Sequence, residues 1–123
     1  MPYFIIPREN SDLEIDPDFL SRQLTEKWPM VEFRQSVPND PFLMEWAINA
    51  GRINHVGMLH DDRRTIAVDD FPTGISEFAL WYRNIIPEKH EIFLYHDSDA
   101  SLEVRITRET SANEILEQLE DNG

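Results

Sequence analysis

Residues 69–87, DDFPTGISEFALWYRNIIP, limit the fold more than any other stretch of the chain. Ile75, Phe78, Ala79, Tyr82 and Ile85/Ile86 recur at helical spacing, and Pro87 stops the pattern. The spacing predicts one amphipathic helix, with Thr73 as its N-cap and Glu77 in its early turns. Short apolar runs, Thr65–Val68 before it and Ile92–Tyr95 after it, read as strands. A helix with a single apolar stripe has to bury that stripe against another layer, so a sheet must meet it.

The rest of the chain supplies that sheet. Tyr3–Ile6 reads as a strand ended by Pro7. Asp16-Pro17-Asp18 is a strong helix start, because Asp caps, Pro suits the first helical position and a second acid suits the first turn. Ile15 and Leu20 have staple spacing, Leu20, Leu24 and Trp28 form the buried stripe, and Pro29 ends the helix. Val31–Arg34 is a brief strand followed by a loop over 36–41. From Phe42 the period becomes two, placing Phe42, Met44, Trp46 and Ile48 on one face and Leu43, Glu45, Ala47 and Asn49 on the other.

A turn at Asn49–Gly51 leads to a strand over Ile53–His60, and His60–Arg64 is a charged hairpin connection. Ile92–Tyr95 and Leu102–Thr107 form a second hairpin. Ser111 and Glu114 make a capping box for a short helix with Ile115, Leu116 and Leu119 inside and Glu117, Glu120 and Asp121 outside. The order strand, helix, proline, strand, strand occurs over 3–49 and again over 65–107. It is compatible with a duplicated β-α-β-β unit or with chance recurrence of two helix–Pro–strand junctions. The expectation is a single α+β domain over residues 1–123. Its antiparallel or mixed sheet has about six to seven strands, two main helices on one face and a short C-terminal helix.

Hydrophobic residues at 41% and charged residues at 28% place the chain in the globular class. Without cysteine there is no disulfide framework or thiolate zinc site. No apolar run approaches the roughly 20 residues of a membrane span, and MPYFIIPREN lacks the basic flank of a signal peptide. Cytoplasmic residence is the expectation. A net charge of −13 repels phosphate backbones and sets nucleic-acid binding aside; it suits either plain solubility or a basic protein partner.

Candidate chemistry is sparse. His60, Asp61 and Asp62 sit at one hairpin turn, and His96, Asp97 and Asp99 at another. Were the turns to share one end of the sheet, their imidazoles and carboxylates would form a metal set of the zinc or iron type. Such turns also arise for backbone reasons alone. His90-Glu91 lacks the second histidine of a metalloprotease helix, since Leu94 stands there. Asp97-Ser98-Asp99 begins like a calcium loop, but Leu102 holds the glycine position and Arg108 replaces the bidentate glutamate. Asp69-Asp70 before the helix is read as capping, and Ser76 lacks the flanking glycine of a nucleophile elbow. Glu32 and Glu45 are read as solvent-facing rather than as an acid/base pair.

No nucleophile, base and orienter can be assembled with named roles, and no cofactor is expected. Trp46, Trp81 and Tyr82 stand out as surplus aromatics. Leu80 and Trp81 on the helix flank, with the acidic residues Glu117 and Glu120, are the candidate interaction surface; rim packing is the plainer account of the apolar pair. The expected function is a non-catalytic protein-interaction module: an inhibitor, immunity-type protein or accessory partner of a basic protein. The alternative is a metal-dependent or small-molecule-binding enzyme using His60/Asp62 and His96/Asp97. A homodimer through an open sheet edge or the Trp81 flank is the third reading.

Overall fold

The structure, a computed structural model, describes residues 2–35, 39–96 and 99–121. The chain runs β1 (Pro2–Pro7), α1 (Pro17–Lys27), β2 (Glu32–Gln35), β3 (Phe42–Ala50), β4 (Ile53–His60), β5 (Ile66–Asp69), α2 (Pro72–Ile85), β6 (Ile92–His96), β7 (Asp99–Ile106) and α3 (Ala112–Asp121). Seven strands form one open antiparallel sheet in the order β2-β3-β4-β5-β1-β6-β7. This is the α+β layer that the hairpin-rich sequence predicts. The strand–helix–strand–strand order does recur, but in non-equivalent places. The helix α1 carries the chain from central β1 to edge strand β2, whereas α2 joins β5 and β6 across the single intervening strand β1.

Local sequence explains the helix ends. Asp16 caps α1 by accepting from the Asp18 N–H at 3.2 Å, with Pro17 at the first helical position. The helix α2 starts earlier than its sequence suggested. Pro72 takes the first position and Phe71 is the N-cap, which leaves Thr73 inside the first turn. Asp70 nonetheless serves this end, since its Oδ1 accepts the Phe71 N–H at 2.6 Å. Ser111 Oγ accepts the Glu114 N–H at 3.1 Å at the start of α3, as the capping box requires.

One face of the sheet makes the core. Tyr3 and Ile5, Trp46 and Ile48, Ile53 and Leu59, Ile66 and Val68, Ile92 and Leu94, and Val104 and Ile106 all point to that side. They pack with Leu20, Leu24 and Trp28, with Ile75, Phe78, Ala79 and Tyr82, and with Ile115 and Leu119 from the three helices. Phe78 is the hub: its ring meets Trp28 at 6.0 Å, Trp46 at 6.2 Å, Tyr82 at 6.5 Å, Trp81 at 5.3 Å and His55 at 4.9 Å. Burying that ring alone is worth about 1.5–3 kcal/mol. Trp46 and Tyr82 are therefore not surplus; both are fully buried.

Two arginines, one buried and one half-buried, tie the connections down with backbone carbonyls rather than carboxylates. Arg83 donates to the carbonyls of His90 at 2.5 Å and Pro87 at 2.8 Å in the turn after α2, and to that of the C-cap Ile86 at 3.1 Å, where a helix end favours a cation. The half-buried Arg64 donates to the carbonyls of Ser11, Arg8 and Glu9 and fastens the segment after β1.

Candidate interaction surface

Three sets of chemistry-bearing residues and two surfaces stand out in the fold. The most enclosed is a polar chain in the core. Trp46 Nε1 donates to His55 Nε2 at 3.0 Å, and His55 Nδ1 lies 3.3 Å from Asp70 Oδ2. Because the indole only donates, Nε2 must accept; the imidazole is neutral and its proton sits on Nδ1, directed at the carboxylate. The other Asp70 oxygen takes the Phe71 N–H.

Two glycines make room for this chain. A Cβ on Gly57 would lie 2.5 Å from the Trp46 ring, and one on Gly74 would lie 2.2 Å from Asp70 Oδ2. His55 and Asp70 side chains have no solvent exposure, so no substrate reaches them. The arrangement satisfies buried polar groups and fixes the start of α2 against β3 and β4. His55 was missed in the sequence, although the alternation of Ile53, His55, Gly57 and Leu59 already points it inward.

Ser11 and His90 meet at an open cleft lined by Arg8, Asn10, Asp12, Lys89 and Glu91. Ser11 Oγ is 2.8 Å from His90 Nδ1, and the Asp12 carboxylate is 3.8 Å from the same nitrogen. A hydrolytic triad needs the hydroxyl and the acid on opposite ring nitrogens, and this geometry does not supply that. Ser11 Oγ also accepts the Leu13 N–H at 3.1 Å, which marks a turn-forming serine.

The two Asp/His turns lie apart. Register places His96 beside Tyr3 at one end of β1, while Leu59, the neighbour of His60, lies level with Ile66 and Ile5 toward the other end. His96 faces the helices, its ring 4.8 Å from that of Tyr3, and His60 faces the opposite side. Strand spacing and rise put them about 17 Å apart. Asp97 lies outside the described residues. The described residues hold no group of three or more potential ligands close enough for a metal ion. Asp62 is occupied locally: Oδ1 accepts the Arg64 and Thr65 N–H groups at 2.8 and 2.9 Å, and Oδ2 takes the Thr65 hydroxyl at 2.7 Å. Partial burial opposes its ionisation, but these hydrogen bonds and the nearby His60 outweigh it and hold the carboxyl below the usual range.

Leu80 and Trp81 are half-buried at the core margin, with Trp81 edge-on to Trp28 at 4.9 Å. Glu117 and Glu120 are exposed on α3, and no basic side chain stands in the last turn of that helix.

The remaining feature is the sheet face that no helix of the described residues covers. A cross-strand row runs the full width through Arg34, Glu45, Met58, Ala67, Phe4, Tyr95 and Glu103. It is charged at both margins and apolar in the middle. A β-bulge between Phe42 and Met44 turns Phe42 onto this face, opposite His60, rather than onto the core face that strict alternation predicts. Ile6 and Phe93 are paired neighbours in the next row, and Val56, 42% exposed, stands on the other side of Met58. The guanidinium of Arg34 lies 5.5 Å from the Phe42 ring centroid and that of Arg8 5.5 Å from Phe93, so cations shield the two aromatic margins. Arg34 also pairs with Glu45, and Glu91 with Arg8 and Arg105. Glu45 and Glu32 therefore both stand on the open side, and Glu45 is an ion-pair member. Ala67 and Phe93 are largely covered by their neighbours yet lie outside the core cluster.

No helix of the described chain is long and apolar enough to cross a membrane. Compared with protein-family models, curated proteins and solved structures, the chain matches none.

Proposed function

We propose that this chain is a non-catalytic protein-interaction module that docks other chains on the open face of its sheet. It works in the cytoplasm as an accessory or inhibitory partner. The observation that supports this reading is the row from Arg34 to Glu103, whose centre offers Met58, Ala67, Phe4 and Tyr95 to whatever lies above it. Apolar residues on a helix-free sheet face, rimmed by charge, are the composition of a docking surface rather than of a solvent face. The helical side suits contact with a basic protein, since the exposed Glu114, Glu117 and Glu120 of α3 add to a chain of net charge −13.

Parallel capture experiments test this, using immobilised wild-type chain, a Met58→Asp variant and a Trp81→Glu variant at low and high salt. Partners held by the wild type are expected to be lost from Met58→Asp and kept by Trp81→Glu. Retention that ignores Met58→Asp but fails in Trp81→Glu would move the docking surface to the flank of α2 and sink the reading.

A further inference from the structure

We infer that the occupant of the open face is a second copy of this chain, stacked sheet on sheet about a two-fold axis parallel to the strands and passing over β5. This rests on the open face being the docking surface and goes further by naming what covers it. The axis strand is the fourth of seven, so the rotation exchanges β2 with β7, β3 with β6, and β4 with β1. Along the central row Arg34 then faces the partner's Glu103, and Glu45 faces the partner's Tyr95. Met58 faces the partner's Phe4, and Ala67 meets itself on the axis. Opposite charges meet at both margins, a carboxylate meets a phenol next to them, and a thioether meets an aromatic ring inside. In the adjoining row the same rotation sets Phe42 over the partner's Phe93. A face that is self-complementary under one rotation at every position of its central row fits its own copy better than an arbitrary partner. Stacked sheets keep their strands within about 30° of each other, so the rows stay in register near the axis.

The size is modest. Seven strands at about 4.8 Å spacing and roughly 15 Å of strand length bury on the order of 1,000 Å² in total. That is the range of a weak, reversible dimer. Association also doubles a net charge of −13, so screening by salt strengthens it, whereas salt weakens the grip on a basic partner.

Sedimentation equilibrium of the full chain over a wide concentration range, at low and high salt, is the test. A dimer that tightens with salt is expected. Arg34→Glu and Glu103→Arg should each weaken it by on the order of tenfold or more, and the double variant should restore it, because each reversal recurs twice across the axis. The chain has no cysteine, so Asp69→Cys on β5 can be bridged by a short bis-maleimide, while Glu117→Cys on α3 should stay unbridged.

A chain that remains monomeric up to millimolar concentration overturns the inference, as does a dimer that the charge reversals leave untouched or that bridges only through Glu117→Cys. Apolar-dye binding to such a monomer separates the two ideas. Dye that binds the wild type and not Met58→Asp leaves the docking face standing without the second copy. No dye binding removes both.

Discussion

Asp70→Asn is the most informative change to make, because the buried chain Trp46–His55–Asp70–Phe71 admits one pattern of protons. The indole N–H occupies His55 Nε2 and forces a proton onto Nδ1. Asp70 consequently faces two donors, Nδ1–H on one oxygen and the Phe71 N–H on the other. Asparagine has one oxygen and one NH2, so either orientation brings a donor against a donor. An unmet buried group together with the loss of a bond to a charged acceptor is expected to cost about 2–3 kcal/mol. For a chain of this size the melting temperature should fall by about 8–12 °C. Trp46→Phe changes the logic. Without the indole the proton can move to Nε2, Nδ1 can accept from the asparagine NH2, and its oxygen keeps the Phe71 N–H. Asp70→Asn should then cost little in the Trp46→Phe background, which gives a coupling energy of about 2 kcal/mol in a double-mutant cycle measured by urea unfolding. Imidazole 15N shifts report the tautomer independently and should show Nδ1–H in the wild type. Additivity within about 0.5 kcal/mol, or an Nε2–H tautomer in the wild type, would refute the proton assignment.

Tyr82 is fully buried and its hydroxyl finds no hydrogen-bond partner among the described residues. Tyr82→Phe is expected to leave stability unchanged or raise it by up to about 1 kcal/mol, and a loss above that by calorimetry would show a partner for the hydroxyl. Arg63 sits in the left-handed region at φ 60°, so Arg63→Gly should relieve about 1 kcal/mol of backbone strain, partly offset by a more flexible unfolded chain. A lower unfolding midpoint in that variant would count against strain at this turn. Because the folded-state pKa of Asp62 is depressed, its stabilising contribution is present above the unfolded carboxyl pKa and fades as pH falls through the lower folded value. Asp62→Asn should therefore melt below the wild type at neutral pH, with the gap closing in strong acid. A pH-independent gap would mean that the hydrogen bonds, not the charge, carry the effect.

Much of the layout was legible because its signals are local. The capping run Asp16-Pro17-Asp18, the box Ser111…Glu114 and the alternation through Trp46 and Ile48 each rest on neighbours a few residues apart, and each marks its element. Pro72 as the true first residue of α2 was also readable, but Thr73 is the commoner kind of cap and drew the boundary inward. What depends on distant pairing was hidden. Runs such as Tyr3-Phe4-Ile5-Ile6 and Ile92-Phe93-Leu94-Tyr95 are apolar on both faces, so periodicity reveals no uncovered side. Only the pairing of β1 with both β5 and β6 aligns Phe4, Ala67 and Tyr95 into one surface. The separation of the His60 and His96 turns is likewise a fact of register, since both lie at strand ends and only pairing says which end. His55 escaped notice because its partners are 9 and 15 residues away.

The place of β1 has a kinetic and topological consequence. β1 precedes the other described strands of the sheet and joins its two halves, so it has nothing to pair with until β5 and β6 exist. Closure of the sheet waits on contacts some ninety residues apart, which makes a slow, high-contact-order step. A chain without its first seven residues would hold a slot one strand wide, walled by two edges that run the same way and carry unmet N–H and C=O groups. Such a slot takes an extended peptide by main-chain pairing, and the sequence PYFIIP supplied as a separate strand is shaped to fill it.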